Sequence, residues 1–482
     1  MTAARNGESV AVQDVDSLPT EGLQDRIAQE VEAGRRIAML FGITLPGERR
    51  LVAVLADDAA SRLAISSSRV EDRFPSLTPA CPQAHYFERE IFEQIGARPE
   101  GHPWLKPVRS HQDDYPFFEV TGEEIHEVAV GPVHAGIIDP GHFRLQCYGE
   151  TVVHLEIQLG YQHRGVEALL EQGPSRRWAL LAECAAGDTT IGHALAHAEV
   201  VEALAGCAPP PRAHALRGLA LELERIASHV GDLGALGADI GYLPGAAWFG
   251  RLRGEFLNTL AELSGSRYGR GLVRPGGVAL DLSGEAARGI ARRLVRARAD
   301  LEDVAGLFFA RPSVRSRLEG TGVLTRETAE RLGLLGPVAR ACGLERDVRA
   351  DHPTGIFGAV LLPMCTADTG DVLARAQVRW AETRRSLDFL TARLAGLPEG
   401  PARVACGPPA PDRIAVSMVE GWRGEIVHVA ITGADGRFVR YKIKDPSFQN
   451  WTGLALALRG AQISDFPLCN KSFNLSYAGH DL

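Results

Sequence analysis

Leu219, Leu223, Ile226, Val230 and Leu233 recur at alternating intervals of four and three, so the middle of the chain must hold a long helix with one buried face. The alanine-rich stretch from about Arg176 to Ala205 reads as a second long helix, and close packing is the natural use of its alanines. Toward the end the pattern changes to a β-hairpin: Ile426–Ile431 and Arg437–Ile443 flank an Asp435-Gly436 turn. Ahead of the helical part, residues 20–112 mix an amphipathic helix, Leu23 to Leu40, with the β-rich runs Leu51–Leu55 and Arg62–Ser66. The expected fold class is α+β. A disordered stretch over 1–20 precedes a small α/β domain over 21–112 and a mainly helical domain with peripheral β-hairpins over 113–482, entered by the polar linker Ser110–Pro116.

Composition removes several function classes. At 482 residues the chain can bury a sizeable core in two or more domains. Its 52 basic and 60 acidic residues give a net charge of −8, which argues against nucleic acid as a partner. The eight cysteines include no Cys-x-x-Cys pair, so neither a local metal clip nor a disulfide framework is visible, and a reducing cytoplasm is the expected setting. The N-terminus has no apolar signal core, and no run approaches the roughly 18 apolar residues of a membrane span. Any membrane association is therefore expected through partners. A dinucleotide fingerprint is also absent.

Several clusters carry chemistry. His163-Arg164-Gly165-Val166-Glu167 puts a base, a permanent cation and a carboxylate at one mouth, and a plain helix-start ion pair is the bland alternative. Arg225, His229 and Asp232 share one flank of the buried stripe, where they could carry protons or form a hydrated helix edge. His193 and His197 stand at i and i+4, a spacing that suits a metal pair, but no third ligand is apparent. Arg340, Arg346 and Arg349 could hold a partner, order a cavity or simply be solvated. Glu88-Arg89-Glu90 allows the same surface reading.

The segment Ala182–Glu202 resembles the helix that carries Cys-x-x-Cys-x-x-x-His in nickel-iron hydrogenase large subunits, with Ala186 and Thr189 at the cysteine positions. Ser472-Phe-Asn-Leu-Ser476-Tyr-Ala-Gly479 likewise resembles the family's Ser-x-Asp-Pro-Cys-x-x-Cys, with Ser476 and Gly479 at the cysteines. A soft metal pair needs thiolate sulfur, so the resemblance is to a relative without the nickel-iron centre. His85-Tyr-Phe-Glu-Arg-Glu through Gly101-His-Pro-Trp104 resembles the 30 kDa subunit of complex I. Leu159–Glu167, Glu222–Gly234, Arg346–Pro353, Glu420–Glu425 and Asp445-Pro-Ser-Phe448 follow in the order of energy-converting, group 4 hydrogenases and the complex I 49 kDa subunit. The similarity spans nearly all of residues 80–482.

This resemblance implies that His163 and Arg164 face an iron-sulfur cluster in a small partner subunit, and that Glu167 binds a divalent ion such as magnesium or starts a proton path. His142, His193 and Ser476 fall where the family places its substrate, which makes them the candidate catalytic residues and a quinone the candidate acceptor. Two departures bear on that acceptor. His142 lies eight residues after His134, where complex I has four, and the tyrosine that would hold a quinone aligns near Gly187. The implied partners are the iron-sulfur subunit and antiporter-like and quinone-module-like membrane subunits, with the chain peripheral on the cytoplasmic face of the inner membrane and holding no cofactor itself. Hydrogenases are trimmed after metal insertion just beyond the last cysteine motif; this chain stops at Leu482, so no trimming step is expected. Two functions remain open: an oxidoreductase subunit that couples electrons to a quinone-like acceptor or to ion movement, and a non-catalytic scaffold that relays protons or conformational strain.

Overall fold

The computed structural model describes residues 1–110, 115–134, 138–172 and 175–482, and the protein is α+β as expected. Strands Arg36–Leu45, Glu48–Asp57 and Arg62–Val70 form an antiparallel meander. Thr2–Ala4 and Asp16–Leu18 both pair with Arg62–Val70. Helix His85–Ile95 lies so close to this sheet that a Cβ at Gly42 would stand 2.5 Å from the Ile95 Cδ1.

Two expectations are corrected in this part. The amphipathic helix ends at Glu32, not Leu40. Gly34 turns the chain with φ of 96°, and Arg36–Leu45 is a strand buried over most of its length. A strand covered on both faces loses its two-residue alternation and reads as more helix. The first twenty residues are also ordered. Besides the two strands above, Ser9–Ala11 pairs with Arg413–Gly421, and the Asn6 side chain bonds the backbone of Met418 on both sides, at 2.8 and 2.7 Å. Such order comes from edge pairing with distant strands, which leaves no local pattern. The boundary expected near residue 112 lies outside the described residues.

The long helix is Pro211–Asp239, and all five stripe residues are in the main core. Helices Leu243–Ser264, Gly284–Ala310 and Val372–Ala395 contribute the facing apolar residues. The stretch expected as one helix over 176–205 is two, Trp178–Glu183 and Thr190–Ala205, separated by a turn. Gly187-Asp188 breaks the helix, and Glu224 of the long helix satisfies the restart by accepting the Ile191 and Gly192 N–H groups at 2.7 and 3.2 Å.

Two smaller sheets flank the helices. Ile125–Val130, His142–Tyr148 and Thr151–Gln158 form one, and Arg413–Gly421, Gly424–Thr432 and Phe438–Lys444 the other. The expected hairpin turns at Asp435-Gly436 with Gly436 at φ of 76°. The chain then folds back through helices Phe466–Phe473 and Tyr477–Asp481. Among the described residues no helix is long and apolar enough to cross a membrane.

Candidate functional site

The turn before helix Thr190–Ala205, the Gly421–Gly424 turn and the last two helices converge on the four positions that the resemblance aligns with cysteines. Ala186, Thr189, Ser476 and Gly479 are all buried. Arg423 organises them. Its guanidinium donates to both oxygens of Asp188 at 2.6 and 2.7 Å, to the Thr189 hydroxyl at 3.1 Å and to the Asn474 carbonyl at 2.5 Å, and it stacks 3.8 Å over the Trp422 ring. Burial alone would raise the Asp188 carboxyl, but this bidentate pair outweighs it and holds the group below the usual carboxylate range.

The other half of the site is a hydrogen-bonded run from His193 to Ser476. His193 Nε2 lies 3.1 Å from Asp445 Oδ2, Asp445 Oδ1 accepts the Ser447 N–H at 2.8 Å, and the Ser447 hydroxyl accepts the Ser476 N–H at 2.8 Å. Ser476 in turn caps the last helix by accepting the Gly479 N–H at 2.8 Å. Burial would raise the Asp445 carboxyl; His193 and Arg423 reverse that and keep it low. Asp445 also fills the fourth cysteine position, since a Cβ at Gly479 would stand 2.6 Å from its Cγ. The donors here are carboxylates, hydroxyls, an imidazole and a guanidinium, and among the described residues no His, Cys, Asp and Glu side chains group as a metal set. This set does not fit a soft nickel-iron pair.

The expected residues fare differently. His193 and Ser476 belong to the same run, while His142 sits apart at the start of its strand with its ring 5.3 Å from Phe117. Among the described residues no hydrogen bond joins His142 to His193 or Ser476. His163 and Arg164 are exposed. The Arg164 guanidinium is rooted by the carbonyls of Cys184, Ala185 and Ala478 at 2.5, 3.1 and 2.9 Å, so its charge is held at the surface beside the turn that carries Ala186. Glu167 is buried, with Lys442 at 2.8 Å and Arg440 at 3.6 Å. Burial would raise its carboxyl, but Lys442, Arg440 and Arg109 bring it down to about 2. Lys442 also pairs with Glu90 at 2.6 Å, so Glu167 joins an ion-pair network across the two halves of the chain.

The polar flank of the long helix is not a hydrated edge: Arg225, His229 and Asp232 are buried. His229 Nε2 lies 2.9 Å from Glu382, and Arg225 donates to the carbonyls of Gly421 and Glu420 at 3.0 and 2.6 Å. Asp232 pairs with Arg379 at 2.8 Å and accepts from Asn474 at 2.6 Å. Arg340 and Arg349 are not solvated but extend this network inward. Arg340 bonds Glu382 and Glu420, each at 2.8 Å, and Arg349 bonds Glu222 at 3.0 Å and Asp347 at 2.6 Å. The surface reading of Glu88-Arg89-Glu90 fails as well. All three are buried, and Glu88 accepts from Ser76, Leu77 and Thr78.

Sequence reasoning gave no role to Asp188, Glu382, Arg423, His428, Tyr441 or Lys442. One signal was present: Glu425 and His428 interrupt an otherwise apolar strand that is buried at every position, and polar groups in such a place must find partners.

Comparison with known proteins agrees with this architecture. The family model described as the respiratory-chain NADH dehydrogenase 49 Kd subunit matches residues 239–408 and 402–481, and that of the 30 Kd subunit matches residues 29–118. Hydrogenase-4 component G of Escherichia coli (strain K12) is 30% identical over 479 residues, covering 92% of this chain and 83% of that protein. The carbon monoxide-induced hydrogenase of Rhodospirillum rubrum is 31% identical over 350 residues, covering 72% of this chain and 97% of that protein. A chain in the solved structure of the membrane-bound sulfane sulfur reductase, an archaeal respiratory membrane complex, superposes with a TM-score of 0.70 at 25% identity, covering 76% of this chain and all of that one. This chain belongs to the family of nickel-iron hydrogenase large subunits and complex I 49 kDa subunits, with a 30 kDa-subunit-like part fused ahead of it and without the metal-ligand cysteines.

Proposed function

We propose that the chain is a subunit of a membrane-associated oxidoreductase of the hydrogenase and complex I type that has no nickel-iron centre, and that it couples electrons from an iron-sulfur partner subunit to a quinone-like acceptor or to ion translocation. The observation that carries this reading is the remade metal position. Alanine, threonine, serine and glycine replace four thiolates, Asp445 lies against Gly479, and Arg423 clamps Asp188. The exposed His163 and Arg164 supply a basic face for the iron-sulfur partner close to that position. Membrane subunits of antiporter-like and quinone-module-like type would provide the attachment at the cytoplasmic face of the inner membrane. Elemental analysis of the native complex tests the metal half, with nickel expected far below one per chain. Near-stoichiometric nickel retained by this subunit would overturn it.

One observation favours the scaffold alternative, in which the chain only relays protons or strain. The buried network of His229, Glu382, Arg340 and Glu420 is continuous and titratable without any acceptor. The two readings separate by variant type. If an acceptor enters, Ser476→Trp abolishes quinone-analogue reduction in a complex that still assembles. If only protons pass, reduction survives that change while Glu167→Gln or His229→Gln stops ion pumping, because proton transfer needs titratable groups within hydrogen-bond reach.

A further inference from the structure

Farther along helix Thr190–Ala205 from the Asp188–Arg423 pair lies a cavity of about 620 Å³, lined among others by Trp178, His197, Arg274, Arg403, Cys406 and Arg437. His197 forms part of its wall and is the first of five buried polar groups in a row. Its Nδ1 is 2.9 Å from the Tyr441 hydroxyl, and that hydroxyl is 2.9 Å from His428 Nδ1. His428 Nε2 is 3.1 Å from His193 Nδ1, and His193 Nε2 is 3.1 Å from Asp445 Oδ2. The row crosses one helix and two strands of the C-terminal sheet, so it is not a consequence of any single repeat.

Hydrogen-bond bookkeeping gives the row a direction. Asp445 is ionised and can only accept, so His193 donates from Nε2; in the tautomer that carries its one ring proton there, Nδ1 accepts. His428 must then donate from Nε2 and accept at Nδ1 from the Tyr441 hydroxyl, whose oxygen accepts from His197 Nδ1. This tautomer set satisfies every bond in a single direction, and it leaves His197 Nε2 as the open acceptor. Burial, with Arg274 facing His197, takes that imidazole down to about 3, and burial with the neighbouring imidazoles holds His428 well below its ordinary value. Both rings are therefore neutral at physiological pH, as the directional row requires. At the other end Arg423 and the Ser447 N–H face Asp445.

We propose that His197, Tyr441, His428 and His193 form a proton-exchange route between the arginine-rimmed cavity and Asp445 beside the former metal position. A proton arriving at His197 Nε2 is balanced by one leaving at each link: from His197 Nδ1 to the Tyr441 oxygen, from Tyr441 to His428 Nδ1, from His428 Nε2 to His193 Nδ1, and from His193 Nε2 to Asp445. Every bond is then reversed, and return of the proton from Asp445 restores the first state. No imidazolium need accumulate, which is how rings held neutral by burial can still pass a proton. The route deepens the coupling reading above, since a redox step at this position would need a proton source, but it is measured without turnover and so can fail or stand independently of that reading.

The test is solvent exchange of the ring N–H protons by NMR on the full chain with ¹⁵N-labelled histidine. In the unaltered protein the His428 and His193 ring protons should exchange with solvent, and Tyr441→Phe, which keeps the ring and removes the hydroxyl link, should slow both by roughly tenfold or more. His197→Gln should do the same from the cavity end. Unchanged exchange at His193 in either folded variant, or no exchange at His193 and His428 in the unaltered protein, overturns the proposal.

Discussion

Arg340→Met is expected to destabilise the protein by about 3–5 kcal/mol near neutral pH, because it removes one central cation of a buried ion cluster while keeping most of the side-chain volume. Arg340 is fully buried, with Nε 2.8 Å from Glu382, Nη1 2.8 Å from Glu420 and Asp347 at 3.7 Å. Its loss leaves carboxylates that cannot be rehydrated. Glu420 shows how finely the cluster is poised: burial pushes its carboxyl up to about 7 even with Arg340 pulling it down. Without Arg340, Glu420 rises further, and Glu382, which Arg340, His229 and Arg225 hold well below its ordinary value against burial, loses the strongest of those pulls. A carboxyl raised above its unfolded value contributes its full stability below that unfolded value and loses it as pH rises through the folded one. The deficit of the variant should therefore be large at about pH 8 and shrink toward about pH 5, read from denaturant melts of both proteins. An equal deficit at the two pH values would mean that packing, and not charge, sets the cost.

The contrast between what the sequence shows and what it hides follows from how local each feature is. The stripe from Leu219 to Leu233 and the Asp435-Gly436 hairpin are local periodicities, and the fold keeps both. Leu23–Leu40 misleads because Arg36–Leu45 is covered on both faces and carries no alternation. The first twenty residues mislead in the opposite sense, since Ser9–Ala11 gains its order from a strand some four hundred residues away. At the site, the four missing cysteines are legible only through the resemblance to the family's two motifs. That Asp445 would take up the space beside Gly479, or that Lys442 would neutralise Glu167, depends on which strand faces which helix. Polar residues within the helix flank and the Arg-rich middle look solvated in sequence, because residue type does not report the partner that makes burial tolerable.

Asp481→Ala should cost about 3–5 kcal/mol and, if the proposed iron-sulfur partner docks on His163 and Arg164, also detach it, because this buried carboxylate holds the loop that carries both residues. One oxygen accepts the Gly160 N–H at 2.8 Å and pairs with His480 Nδ1 at 2.9 Å; the other accepts the Gln162 N–H at 2.9 Å. The backbone repeats the clamp, with the Asp481 carbonyl 2.8 Å from His163 Nδ1 and the Leu482 carbonyl accepting the Arg164 N–H at 2.7 Å. Gly160 lies within the same tight crossing, at φ of 101° and with its Cβ position 2.6 Å from the Arg109 carbonyl, so the loop has no relaxed alternative nearby. Alanine leaves the buried Gly160 N–H, the half-buried Gln162 N–H and an imidazole without their acceptor. Burial would raise the Asp481 carboxyl, but His480 and the two backbone donors hold it below its ordinary value. Its contribution is thus present above the unfolded value and lost as pH falls through the folded one, so the variant's deficit should be greatest at neutral pH and fade in acid. Arg164→Ala makes the control. Its guanidinium is exposed, so the melt should shift by at most about 1 kcal/mol while the potential of the partner cluster falls. Thermal melts and co-purification of the iron-sulfur subunit read both effects. An Asp481→Ala chain that melts with the unaltered protein and still carries its partner would show that the loop is held by the helices around it and not by this carboxylate.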